Sequence, residues 1–291
     1  MLNFIINPVA GKGKTLKIID KLKDYCVDKN IKHEFFMTNA IGDATVIAKH
    51  ICEQKLGNIV IVGGDGTINE VLNGMSDFEN VNLGLVPYGT GNDFAASLNI
   101  EAKNLIKAMD IIHNNNPQYT DFIELNNSIR VMNVTGMGID VDVLQRYKKA
   151  KIIKGKFAYY KALIVSLFRF KWNKYKIKFE NGEFEEKTAM ITAVCNGKFI
   201  GGGIKICPAA DSSDGLLNVV IVNKIPRIKI LPALITLMKG KILQKKFVNH
   251  VLCKNLELVT DAKPVINIDG ELIKSSNFEC NIVSGKLKIY R

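Results

Sequence analysis

No two of the six cysteines, at 26, 52, 195, 207, 253 and 280, have the C-x-x-C spacing, which leaves neither a zinc knuckle nor a thioredoxin-like motif. Reduced thiols of a cytosolic protein are the expectation. The four histidines, at 33, 50, 113 and 250, lack metal-like spacing and an acidic partner in sequence, and no role is assigned to them. No apolar run approaches the ~18 residues that cross a bilayer; the longest are 162–168 and 231–238. A transmembrane helix is therefore not expected. The opening MLNFIINPVAGKGK puts its apolar residues ahead of its basic ones, the reverse of a signal peptide, so secretion is not expected either. Internal repeats, low-complexity tracts and Pro/Gly/Ser-rich linkers are absent. With 47% hydrophobic and 23% charged residues over a length of 291, the chain is expected to fold around one or two sizeable cores.

Positive charge is what the chain has in excess, and it is concentrated. Of the 40 Lys and Arg, twelve lie within residues 146–178, a segment without Asp or Glu; elsewhere the basic groups only equal the 28 acidic ones. The segment also carries Tyr147, Phe157, Tyr159, Tyr160, Phe168, Phe170, Trp172 and Tyr175. A second acid-free stretch, 215–256, has Arg227, Lys229, Lys239, Lys241, Lys245 and Lys246 beside the apolar run 231–238. Cations gain roughly 1 kcal/mol each near an anionic lipid surface, and aromatics settle at its interface. An anionic membrane face suits both stretches. A solvated basic helix face would account for the same charges. Nucleic acid would be attracted by them too, but no nucleic-acid motif accompanies them and no such partner is expected.

Up to about residue 120, strand-like and helix-like segments alternate. Strands are predicted at 4–6, 33–37, 59–62 and 83–87, and helices at 15–30, 44–55, 67–75 and from Phe94 onward, the pattern of βαβ units and a parallel sheet. Beyond Asp121 the period becomes two. Strands are predicted there at 130–135, 174–180, 188–195, 217–222, 256–260, 265–269, 278–283 and 287–290, and only 156–169 and 226–241 look helical. The expected fold is an α/β domain over 1–122 followed by a mostly antiparallel β-sandwich over 123–283.

Three glycine-rich turns, at 11–14, 63–66 and 89–91, each follow a predicted strand and precede a helix. That puts them on one sheet edge, outside the strands' carboxyl ends, where open α/β sheets bind ligands. Glycine lets backbone N–H groups approach phosphate oxygens, and the next helix N-terminus favours negative charge. Lys12 and Lys14 would add charge to the first turn. Two familiar motifs fail: a Walker A reading of GKT at 13–15 needs glycine where Pro8 stands, and a dinucleotide fingerprint from Gly11 and Gly13 needs glycine where Leu16 stands. Thr67 and Glu70 have capping-box spacing. Asp65 and Asp93 are candidates for holding Mg²⁺ through its water shell, or for capping a helix. In INIDGELI, Asp269 and Glu271 flank Gly270, either as a D-G hairpin turn or with Asp269 as general base toward a hydroxyl in phosphoryl transfer. Asp211 and Asp214 form either another turn or an oxygen-rich cation site.

The strings NPVAGKGK (7–14), GGDGTINEVLNG (63–74), PYGTGNDFA (87–95), NVTGMGID (133–140), GGGIKICPAADSSDGLLNVVIV (201–222) and IDGE (268–271) span nearly the whole chain. In that order they resemble the diacylglycerol kinase catalytic-domain family, in particular its soluble bacterial lipid kinases. GGDGT alone is shared with NAD kinases and phosphofructokinases; followed by GT-x-NDFA and a distal DGE it is specific. The resemblance implies a phosphofructokinase/NAD-kinase-like first domain, completed by 284–291, with the site in the interdomain cleft. It implies ATP and Mg²⁺ as cofactors, and transfer of the γ-phosphoryl group to diacylglycerol or a similar lipid alcohol, giving phosphatidic acid-type products. Carried over by position, the nucleotide residues are Asn7, Gly11, Lys12, Gly13, Lys14, Gly63, Gly64, Gly66, Thr67, Glu70, Gly89, Thr90, Asn92 and Asp93. Asp65, Asp93 and Asp121 are implied as an acidic, Mg²⁺-linked network, with Asp65 counted among the catalytic residues. Asp269 is implied as the base, with Glu271 as its partner. Asp214, with the carbonyl of Leu216, falls where relatives hold a structural Mg²⁺, and Lys154 or Lys156 falls near an important basic position. Ala10 stands where many relatives have Ser or Thr. The implied enzyme works in the cytoplasm at the inner face of the membrane, with a homodimer among the arrangements allowed. A kinase of a soluble acceptor such as NAD, or a non-catalytic lipid- or nucleotide-binding homologue, is the alternative.

Overall fold

The structure, a computed structural model, describes residues 1–149, 156–169, 172–260, 265–275 and 277–291. The chain divides into two compact units, Met1–Asp121 with Ser284–Arg291, and Phe122–Val283. No helix among the described residues is long and apolar enough to cross a membrane.

The first unit runs β1 (Leu2–Ile6), a distorted turn α1 (Ala10–Gly13), α2 (Ile19–Asp28), β2 (His33–Met37), α3 (Asp43–Glu53), β3 (Asn58–Gly63), α4 (Asp65–Gly74), β4 (Leu83–Pro87), α5 (Asp93–Ser97) and α6 (Leu105–Asn114). The strands pair in parallel in the order β2-β1-β3-β4. Residues Leu2, Phe4 and Ile6 of β1 pack with Val60, Val62 and Val86 against the apolar sides of α2 and α6. Their neighbours Ile5, Ile59 and Ile61 are equally buried, because a parallel sheet is covered on both faces. The helix expected from Phe94 is in fact two. Its first part stops at Ser97, just before Asn99 takes a left-handed φ of 60°. The second begins at Asn104, whose side chain accepts from the Lys107 N–H at 3.2 Å. The last residues of the chain complete this unit: Ile289 pairs in parallel with Leu83, Leu287 and Ile289 are fully buried, and Asn58 donates to the Tyr290 hydroxyl at 2.9 Å.

From β5 (Pro117–Leu125) the chain enters the second unit: β6 (Ile129–Val131), β7 (Val134–Gly138), α7 (Ile139–Lys149), α8 (Lys156–Arg169), β8 (Asn173–Phe179), β9 (Glu185–Cys195), β10 (Phe199–Ile200), β11 (Ile204–Lys205), β12 (Leu217–Asn223), α9 (Ile230–Met238), β13 (Val248–Cys253), β14 (Asn255–Val259), β15 (Val265–Ile268), β16 (Glu271–Lys274) and β17 (Asn277–Tyr290). Pairing among β7, β8, β9, β12, β13, β14, β15 and β16 is antiparallel. Strand β12 shows the layering. Its Leu217, Val219 and Ile221 enter a core with Ile177, Val194, Leu256 and Ile266 from other strands. Its Val220 and Val222 turn the other way, into a cluster with Val143, Leu163, Leu167, Ile230 and Leu234 from α7, α8 and α9.

Three expectations for this unit change. Segment 130–135 is not one strand: it breaks between β6 and β7, where the N–H groups of Met132 and Asn133 go to the Asp269 carboxylate instead of a neighbouring strand. Segments 278–283 and 287–290 belong to the single strand β17. Beside the two helices expected beyond Asp121 there is a third, α7, whose few buried apolar positions, Ile139, Val141, Val143 and Leu144, are crowded at its start and masked by polar residues.

Candidate active site

Strands β1, β3 and β4 end side by side, so the three glycine turns leave from one edge. The Gly63 carbonyl accepts from the N–H groups of Tyr88 (2.7 Å) and Gly89 (3.0 Å). Gly11, Lys12 and Gly13 all take left-handed φ, at 57°, 64° and 78°. A Cβ on Gly11 would stand 2.2 Å from the Tyr88 carbonyl oxygen, and one on Gly64 2.9 Å from the Cα of Gly89. The loops therefore touch backbone to backbone, which side chains would prevent. Asn92 closes the third turn, accepting from the Gly89 N–H at 2.7 Å and donating to the Gly89 carbonyl at 3.0 Å. Asn7 ties the first turn to α4 by donating to the Thr67 hydroxyl at 3.1 Å, and its carbonyl accepts from the Thr15 hydroxyl at 2.7 Å. Lys12, Lys14 and Thr90 are exposed.

No side chain caps the first turn of α4, whose leading N–H groups have no partner within the helix. Nothing lies within 4 Å of where a Cβ on Gly66 would be. An open, uncapped helix end of this kind fits a phosphate. A cavity of ≈ 220 Å³ lies beside it, with Asn7, Thr38, Asn39, Thr67 and Glu70 in its lining.

Thr67 and Glu70 do not make the expected capping box. The extended Gly64 starts α4 at Asp65, so Thr67 sits inside the helix, buried and bonded to Asn7. The Glu70 carboxylate accepts from the Ala44 N–H at 3.2 Å, in the first turn of α3, and its carbonyl accepts from the Thr45 hydroxyl at 2.9 Å. Glu70 thus caps the neighbouring helix. Asp65 acts in the same way on α5, accepting from the N–H groups of Asp93 and Phe94, each at 3.1 Å. Asp65 and Asp93 also share a gap: a Cβ on Gly91 would lie 2.9 and 3.5 Å from their Oδ2 atoms. Two carboxylates facing the space of a missing side chain fit Mg²⁺, which keeps several waters and takes one or two carboxylates. Asp93 and Asp121 are buried.

In the second unit, Asp269 and Gly270 form the two-residue turn between β15 and β16, both at positive φ (46° and 91°), with Ile268 opposite Glu271. The D-G hairpin is real. The Asp269 carboxylate reaches back to three successive N–H groups: Met132 at 2.8 Å, Val134 at 2.8 Å, and Asn133 between them at 3.1 and 3.3 Å. These donors fix its orientation. Glu271, exposed, shares the turn. Asp214 accepts from the Leu216 N–H at 2.9 Å, and Asp211 from the N–H and hydroxyl of Ser213, so this segment is a hydrogen-bonded turn. Desolvation pushes the Asp214 pKa up, with the Leu216 N–H opposing and the Asp211 charge adding. Among the described residues no cluster of three His, Cys, Asp or Glu could hold a metal. Lys154 lies outside the described residues, and Lys156 begins α8.

Asp140 escaped the sequence reading, although it ends the string NVTGMGID. It is buried in α7; its Oδ2 accepts from the Asn267 amide at 3.1 Å, and its Oδ1 has no hydrogen-bond partner among the described residues. Burial pushes its pKa up to about 6, against the opposing bonds from Asn267 and the Val141 N–H. It borders an apolar cavity of ≈ 60 Å³ whose walls include Val143, Leu163, Ile204, Ile230 and Leu234. The available signal was an acid inside an apolar-alternating run.

Residues 1–125 match the family model of the diacylglycerol kinase catalytic domain, and 133–291 match the YegS C-terminal NAD kinase beta sandwich-like domain. A diacylglycerol kinase of Bacillus subtilis (strain 168) is 26% identical over 269 residues, covering 92% of this chain and 88% of that protein. One from Mycobacterium tuberculosis (strain H37Rv) is 26% identical over 301 residues, covering 99% and 94%. Among solved structures, a diacylglycerol kinase from Bacillus anthracis str. Sterne shares the fold at a TM-score of 0.73 and 21% identity, covering 99% of this chain and 96% of that one. An NAD kinase from Archaeoglobus fulgidus in complex with ATP shares it more distantly, at 0.54 and 9%, covering 100% and 94%. With one family model over its α/β part and the other over more than half its length, the chain belongs to the diacylglycerol kinase catalytic-domain family, a family of lipid kinases.

Proposed function

We propose that this chain is an ATP- and Mg²⁺-dependent kinase that moves the γ-phosphoryl group of ATP to the hydroxyl of diacylglycerol or a similar lipid alcohol, releasing a phosphatidic acid-type product. The observation that carries this reading is the uncapped first turn of α4 between glycine loops in mutual contact. Its N–H groups would hold the phosphates, with Lys12 and Lys14 adding charge, and the cavity beside Asn7, Thr38 and Glu70 would take the nucleoside. Asp65 and Asp93 would hold Mg²⁺, which would offset charge on the phosphates. Asp214 with the Leu216 carbonyl would hold a structural ion. Asp269 accepts the proton of the acceptor hydroxyl as that oxygen bonds to the γ-phosphorus and the bond to the β,γ-bridging oxygen breaks. Its three backbone donors keep it aimed, and Glu271 is its partner in the turn.

The apolar cavity bordered by Asp140 supports a lipid acceptor, since each aliphatic CH₂ buried contributes about 0.8 kcal/mol. The basic stretches would draw the enzyme from the cytoplasm to an anionic inner membrane face. A soluble acceptor such as NAD is the second reading, favoured by the fold shared with an NAD kinase, and it requires activity without lipid. In Asp269→Asn, lipid phosphorylation should fall by roughly 10²–10⁴ while titration with a fluorescent ATP analogue stays unchanged. An undiminished rate removes Asp269 from its role.

A further inference from the structure

Helix α9 is apolar almost all round, ILPALITLM, and such a helix is ordinarily buried on every side. Only one side is. Ile230, Ala233 and Leu234 are buried and, with Leu237, wall the apolar cavity. On the other side Leu231 is 54% exposed, Ile235 49% and Met238 52%, and Ile228 in the turn leading into the helix is 85% exposed. At 3.6 residues per turn Leu231, Ile235 and Met238 fall within about a sixth of the circumference of α9, and Ile228 precedes them in the leading turn. Exposed apolar residues are normally scattered singly; a continuous stripe marks an interaction surface.

The charges around the stripe say what covers it. Arg227 and Lys229 stand before α9 and Lys239 and Lys241 after it, all exposed, and residues 215–256 hold no acid. Cations at a helix N-terminus oppose its dipole, so helix stability does not account for Arg227 and Lys229. A second copy of this chain would bring the same cations face to face, which is unfavourable. A polyanion such as nucleic acid would leave the four apolar side chains in water. An anionic bilayer satisfies both sets.

We infer that α9 and its leading turn form the element that enters an anionic membrane surface. Ile228, Leu231, Ile235 and Met238 sit at the boundary of headgroups and acyl chains while Arg227, Lys229, Lys239 and Lys241 meet the headgroups. The inference deepens the lipid-kinase reading and rests on it for its purpose, but it is tested separately. The full chain is sedimented with vesicles of phosphatidylglycerol and phosphatidylcholine in equal parts. Binding by the wild type, weakened by roughly 100-fold or more when the four apolar residues are replaced together by Ser, is the expected result. Because those side chains are exposed, the Ser variant should keep its melting temperature and its rate on a short-chain diacylglycerol dissolved in water. In Leu231→Trp, emission beyond that of Trp172 should shift blue on vesicles and be quenched by brominated acyl chains. Undiminished vesicle binding by the Ser variant, or an unquenched Trp in bound protein, overturns the inference. So does conversion of a dimer to a monomer by the Ser changes, which would make the stripe a contact between copies. A wild type that binds vesicles through α9 yet phosphorylates no lipid would leave this inference standing and remove the kinase reading.

Discussion

A carboxyl group that folding takes out of water with one oxygen left unpartnered lowers stability whenever it is charged, and Asp140 is in that position. Its pKa rises from 3.8 to about 6 on folding, so between those values the folded state binds more protons than the unfolded chain. Stability attributable to this group therefore falls as pH rises from about 4 to about 6 and stays low above. Asp140→Asn should equal the wild type near pH 3 and exceed it at pH 7 by up to about 3 kcal/mol, measured by urea unfolding across that range. A difference that does not vary with pH contradicts this. Asp269 and Asp65, by contrast, have both oxygens bonded to backbone N–H groups. The Asp269 turn was legible because a D-G dipeptide between apolar alternations demands positive φ locally. The role of Glu70 was not, because its partner Ala44 lies on a different helix, 26 residues away.

Short strands set by their own local sequence could be read directly: 33–37 and 83–87 are the strands expected, to the residue. Those shaped by a distant partner could not. The break at Met132 is set by a carboxylate 137 residues further along, and α7 shows few apolar positions to a periodicity search. The glycine turns were legible as turns, while their mutual contact required the folded sheet. Two substitutions separate these properties at the start of α4. Gly64→Ala puts a methyl 2.9 Å from the Gly89 Cα, so both melting temperature and ATP affinity should drop. Gly66→Ala meets nothing within 4 Å and should gain up to about 1 kcal/mol of helix stability. Its methyl would still narrow the open helix end, so ATP affinity should fall roughly tenfold by fluorescent-analogue titration. An unchanged affinity in Gly66→Ala would mean that the phosphates bind elsewhere.

At the scale of the whole molecule, the first unit closes only when the chain returns to it. Ser284–Arg291 brings Leu287 and Ile289, both fully buried, beside β4. Deleting these residues should remove roughly 3–6 kcal/mol from that unit, a large part of the 5–15 kcal/mol typical of a domain. Denaturant unfolding followed by native-state hydrogen exchange in β1 and β3 would check it, and unaltered protection there would refute it. The central claim, that the acceptor is a lipid hydroxyl, has a more direct test. The purified chain is given γ-labelled ATP and Mg²⁺ with diacylglycerol in mixed micelles and, in parallel, with NAD in buffer. Label in the lipid extract and none in NAD is the predicted result; label in NAD with every lipid unlabelled would contradict it.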